Sequence, residues 1–166
     1  MANNPPWLRG PVPDVIPMLQ PVAHSLIDCR EDVETRLVGV SVERIWTKPG
    51  NAASVGFHVR HAMGSIDRLF AYARGEELTL EQLAALKTEG ARGTGPDTAE
   101  ELIAAFQRAT DRAMQQVRAT HDTDLLEFRA VGRGKLPSNV IGILMHAAEH
   151  TQRHIGQMST TLKIVL

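Results

Sequence analysis

The sequence predicts an all-α protein, an up-and-down-type four-helix bundle with a short accessory helix. Three observations predict it. Four long segments repeat apolar residues at spacings of three and four, the stripe of an amphipathic helix. Their ends carry residues that start and stop helices. No segment shows a convincing alternation of period two.

The first dozen residues set Pro5, Pro6, Pro11 and Pro13 around Trp7 and Leu8, which reads as an extended N-terminal arm over 1–13. From Asp14 onward, Ile16, Leu19, Ala23, Leu26, Ile27, Val33 and Leu37 trace a first long helix, regular only after Pro21. The stretch 38–46 has β-branched residues but is too isolated for a sheet. Trp46-Thr-Lys-Pro-Gly-Asn breaks the pattern, and Asn51 or Ser54 can cap a second helix. That helix runs through Val55, Val59, Met63, Ile66, Phe70 and Ala73 to a stop at Gly75. Thr79-Leu-Glu-Gln82 is a capping box and opens the accessory helix, which extends toward Lys87. Gly90, Gly93, Gly95 and Pro96 make a loop, after which Asp97 or Thr98 caps a third long helix. Its stripe is Leu102, Phe106, Ala109, Ala113 and Val117. Segment 121–136 is mixed, with a turn at Gly132-Arg-Gly134. Pro137-Ser138 is expected to open the fourth helix, carrying Val140, Leu144, Ala147, Ile155, Met158 and Leu162.

A chain of 166 residues is expected to form one domain over 1–166. A domain near that size buries roughly 68–70% of its unfolded surface, so neither metal nor disulfide is needed to hold it closed. The net charge of −1 excludes affinity for nucleic acid or anionic lipid driven by bulk basic charge. No apolar run approaches the ~20 residues of a membrane helix. Neither nucleic acid nor membrane is therefore expected as a partner. The N-terminus lacks the basic and apolar regions of an export signal, and the single Cys29 fits a reducing compartment, so a cytoplasmic location is expected. Cys29 reads as a structural thiol.

Seven histidines stand against one tyrosine, and five of the seven fall in two short segments. His146, His150 and His154 follow one another at steps of four. Such a step turns a side chain by about 40° and advances it about 6 Å, so two of these imidazoles share a face and can reach one ion. Three drift by about 80°, too far for all three to meet on one metal. Imidazole suits zinc, nickel, copper and iron. In a helical bundle a further ligand comes from a facing helix, and the second helix offers His58 and His61. Projection puts His58 about 75° and His61 about 135° from the apolar stripe. A metal in the core would favour His58; one at the mouth of a groove would favour neither. Three protein nitrogens with open positions read as a catalytic rather than a structural site. The plainer alternative is a set of surface or hydrogen-bonded core histidines, since an i,i+4 pair also arises by chance.

Other polar residues carry less. Glu149 precedes His150, without the His-Glu-x-x-His frame of zinc proteases, and falls opposite the apolar stripe. Arg60 and Arg153 read as surface groups, and Asp67 and Arg68 as partners for charges of the first helix. Gln157 suits either a metal-bound water or a neighbouring helix. Gly132-Arg-Gly-Lys135 lacks the frame of a phosphate loop, but could set Arg133 or Lys135 where an anionic co-substrate docks. Met63, Met114, Met145 and Met158 fall mostly at core spacing.

Together these residues carry a resemblance. His150-Thr-Gln-Arg-His154-Ile-Gly-Gln157 resembles the fourth-helix signature of the DinB/YfiT-like family of metal-binding four-helix bundles. His61-Ala-Met-Gly-Ser65 is similar to its second-helix motif, Trp46-Thr-Lys-Pro resembles the tryptophan that precedes that helix, and Ser138-Asn-Val-Ile-Gly142 fits the entry to the last one. The resemblance implies a divalent transition metal (zinc, nickel, iron or manganese) on His61, His150 and His154, and so selects His61 over His58. His58 and His146 then become the candidate catalytic groups, orienting a ligand or moving a proton. Family members include S-transferases that use bacillithiol or mycothiol and a mycothiol-dependent maleylpyruvate isomerase. The implied activity is a metal-dependent S-transferase acting on a small-molecule thiol and an electrophile. The alternatives are a metal-dependent hydrolase and a non-catalytic stress-response protein that binds a metal or small ligand. The exposed arm, together with the habit of the family, predicts a homodimer.

Overall fold

The computed structural model describes residues 4–166. Among these residues the chain forms six α-helices: α1 (Gln20–Arg36), α2 (Val42–Trp46), α3 (Val55–Ala73), α4 (Leu80–Thr88), α5 (Ala99–Ala119) and α6 (Val140–Val165). The four long ones, α1, α3, α5 and α6, share one core. Both α1 and α3 pack against α5 and α6, and the α3–α6 seam is the most extensive. Leu26, Val33, Val59, Ile66, Leu102, Phe106, Leu144, Ile155 and Met158 are buried there, so the apolar stripes meet as amphipathic helices require. No helix is long and apolar enough to cross a membrane among the described residues.

Side chains fix the helix starts. Ser54 Oγ accepts from Phe57 N at 3.2 Å, so of the two candidate caps for α3 it is Ser54 that acts. Thr79–Gln82 and Thr98–Glu101 form complete capping boxes at α4 and α5. In α1, Pro21 lies in the first turn, where its missing N–H costs nothing.

Two expectations are corrected, and one open stretch is resolved. Segment 121–136 and the proposed start of the last helix contain a hairpin, β1 (Phe128–Val131) paired antiparallel with β2 (Leu136–Asn139). Pro137 lies in β2, tolerated because a two-stranded ribbon leaves one side of each strand unpaired. Thus α6 opens not at Pro137-Ser138 but at Val140, where Asn139 Oδ1 accepts from Gly142 N at 2.8 Å. Stretch 38–46 ends in a short helix, α2, capped by Ser41. The arm is not extended throughout: Pro6–Leu8 forms a 3-10 turn. Arg9 pairs with Glu31, and the Gln20 side chain bonds the backbone of Val12 and Val15, tying the arm to α1 of its own chain. Residues 1–3 of the arm lie outside the described residues.

Arg60 is also corrected, from a surface group to a buried one, 3% exposed. Its guanidinium lies 4.5 Å from the centroid of the Trp46 ring. It also donates to the carbonyls of Ala91 and Pro96 and to Asp97 Oδ1, at 2.6–2.8 Å. Trp46 Nε1 in turn donates to the Asp97 carbonyl at 3.0 Å. Residues 91–97 are thereby stapled to α3.

Gly56 is pressed against the Trp46 ring, where a Cβ would stand 2.7 Å from the nearest ring carbon. Gly156, exposed inside α6, has nothing within 4 Å of its Cβ position. Opposite outcomes follow. Gly56→Ala should destabilise the protein by about 1–3 kcal/mol. Gly156→Ala should stabilise it by about 0.5–1 kcal/mol, through reduced freedom of the unfolded chain. Denaturant melts of the two variants check both.

Candidate metal centre

The site is built where α3 faces α6. From the Ser54 cap, His58 and His61 fall on the first two turns of α3, while His150 and His154 lie mid-way along α6. The α3–α6 seam brings His61, His150 and His154 together. Their ring centroids are 4.4–5.1 Å apart, and one nitrogen from each lies within 4.8 Å of the others. All three are half-buried. Phe57 stacks on His61 at a 5.3 Å centroid distance and meets His58 and His154 edge-on, walling one side of the cluster.

His58 is nearly buried, and its Nδ1 lies 3.2 Å from His154 Nδ1. That contact occupies one nitrogen of His154 and leaves Nε2 for another partner. His146 lies at the rim, its side chain 52% exposed, with Nδ1 2.9 Å from Glu149 Oε1. Its ring is 5.6 Å from that of His150, in line with the helical drift that separates the first and third of the series. Glu149 is solvated and also accepts from Arg153 at 2.6 Å.

Burial and mutual repulsion disfavour the protonated forms of His58, His150 and His154. His154 drops to about 4, first through burial and then through the nearby His61, His150, His58 and Arg153. Burial followed by the proximity of His61 also lowers His58 and His150. At neutral pH these rings present lone pairs rather than charges, the state a metal ligand needs. His150 Nδ1 is buried without a hydrogen-bond partner among the described residues. A buried polar atom without a partner is costly, and here it sits beside two converging imidazoles. The donor set, three imidazole nitrogens, fits a borderline divalent transition metal.

The family model described as the DinB superfamily matches residues 25–158. The chain belongs to the DinB superfamily. That match runs from within α1 to most of α6 and includes all five of the clustered histidines. No curated protein matches the chain.

Two parts of this DinB site escaped the sequence. One is Phe57. The other is Glu89, which ends α4 and is 7% exposed. Its Oε2 lies 2.7 Å from His61 Nδ1, and its Oε1 accepts from Arg68 Nη1 at 2.7 Å. Arg68 therefore pairs with Glu89 and not with the first helix, and Asp67 faces Gln82 and the distant Arg112 instead. A signal did exist: Arg68 is seven residues after His61, about 20° away on the same face, and an arginine there requires a buried counter-charge. Arg133 and Lys135 are not near the histidines. They line a cavity of about 500 Å³ between the hairpin and the end of α3.

Replacing His150 or His154 by alanine should abolish metal uptake while the far-ultraviolet circular dichroism stays helical. His61→Ala should do the same, and His58→Ala should weaken uptake far less; elemental analysis of dialysed protein distinguishes them. The histidine shifts also set a pH dependence. Unfolded histidines take up protons near 6.5, whereas folded His154 resists until about 4, so acid favours the unfolded chain. The thermal midpoint of metal-free protein should fall as pH drops from about 7 to about 4. In His154→Asn that fall should be shallower.

Proposed function

We propose that this DinB protein is a metal-dependent enzyme of the S-transferase type, with His61, His150 and His154 holding a divalent transition metal. One observation carries the reading: three imidazoles from two helices bring one nitrogen each within 4.8 Å of the others, and His150 Nδ1 is buried with no hydrogen-bond partner among the described residues. We read the surrounding helices as an up-and-down-type four-helix bundle over one domain, working in the reducing cytoplasm. Three protein ligands would leave further coordination positions for water or substrate. A divalent ion there supplies Lewis acidity, lowering the pKa of a thiol or water presented to it.

The chain's own residues supply the rest. Phe57 covers one face of the His61 ring and would limit water on that side. His58 holds the His154 ring through the Nδ1 contact. His146, exposed and braced by Glu149, is placed to take a proton from an incoming thiol. Buried Cys29, whose thiol is pushed up by burial, stays out of the chemistry. Trp7, Leu8 and Met18 remain exposed along the arm side, and we assign that face to a homodimer contact.

Turnover of metal-loaded protein with a panel of low-molecular-weight thiols and electrophiles tests the reading. Thiol conjugation should appear with metal, vanish with a chelator and vanish in His61→Ala. His146→Gln should lower kcat by about 10²-fold with the metal still bound. Hydrolysis without thiol consumption would move the activity to a hydrolase. A bound metal with no turnover across the panel would make the site a binding module. Light scattering should return the mass of a dimer, and a monomer at micromolar concentration would remove the homodimer.

A further inference from the structure

His61 differs from the other two candidate ligands in what holds it. His154 leans on another imidazole, and His150 Nδ1 has no partner among the described residues, but His61 Nδ1 faces a buried carboxylate. A carboxylate only accepts, so this contact calls for a proton on His61 Nδ1 and leaves Nε2 as the nitrogen available to a metal. Glu89 is itself clamped. Oε1 takes the Arg68 guanidinium, whose Nη2 donates to Ser65 Oγ at 3.2 Å, so three residues of one α3 face fix one carboxylate. The backbone on either side of it is held as well: Thr94 Oγ1 donates to the carbonyls of Thr88 and Ala91, and Arg60 donates to that of Ala91. Gly64 completes the seat: a Cβ there would run into Glu89 Oε1 and stand 2.8 Å from Arg68 Nη1.

We infer that Glu89 is a positioning residue of the metal centre, fixing the tautomer and orientation of His61 through a carboxylate–imidazole pair that Arg68, Ser65 and Gly64 exist to hold. This rests on the metal-binding reading of the three histidines. Carboxylate partners of this kind orient ligating imidazoles and raise their basicity, and their loss typically weakens metal affinity 10–100-fold.

Two measurements test it. The first uses the unaltered, metal-free chain: long-range nitrogen–proton correlation spectra at neutral pH should show His61 protonated on Nδ1, and a proton on Nε2 overturns the inference. The second is zinc and cobalt affinity by competition with a chromophoric chelator. Glu89→Gln should bind about 10–100-fold more weakly than the unaltered chain, with a changed visible spectrum of the cobalt form. Gly64→Ala keeps every ligand and every charge and should weaken binding in the same direction by displacing the carboxylate. Melting curves of the metal-free variants separate this from loss of fold, and if Glu89→Gln does not fold, Gly64→Ala and the spectra decide. Affinities within twofold of the unaltered chain in the folded variants overturn the role of Glu89 and leave the three-histidine site standing. No uptake by the unaltered chain overturns both.

Discussion

Close packing of α3 on α6 is the constraint from which the rest of the molecule follows. Burying the apolar stripe of each helix leaves their flanking residues side by side at the edge of the seam, and the histidines lie on those flanks. The same packing that removes Val59, Ile66, Ile155 and Met158 from water therefore sets His61 against His150 and His154. The cluster needs no loop to assemble it. Rigid helices hold the nitrogens in place before any ion arrives, which lowers the ordering cost of binding.

The starts of α3, α4 and α5 were legible because they are local. Caps at Ser54, Thr79 and Thr98 are written in three or four consecutive residues, and the structure uses all three. The hairpin was not legible. Its strands are four residues long, without a fully buried residue and interrupted by Pro137, so neither apolar alternation nor burial marks them. Arg60 was misread for a related reason: helical projection measures distance from an apolar stripe, and it does not register a loop that folds over the polar flank.

Within the site, the α6 series was readable from spacing alone, while the partner on α3 was not. His61 lies about 135° from the stripe by projection, which would place it in solvent if the core were the only thing to face. It is half-buried because Phe57 stacks on one side of it and Glu89 approaches from another. Glu89 had no pattern to betray it. It comes from a glycine-rich stretch 28 residues beyond His61, and only the burial of Arg68 hints that an acid must come from somewhere.

Gly64 has a consequence for how such sequences can change. A methyl group at position 64 and a carboxylate at position 89 compete for one volume, so the two positions are not independent. A lineage that gains a side chain at 64 must shorten or withdraw the residue at 89, leaving Arg68 with a buried charge to lose or re-pair. Drift at a glycine one turn past a ligand is thus tied to an acid in a distant loop. Aligned relatives that keep the second-helix histidine should show 64, 68 and 89 substituted as a set.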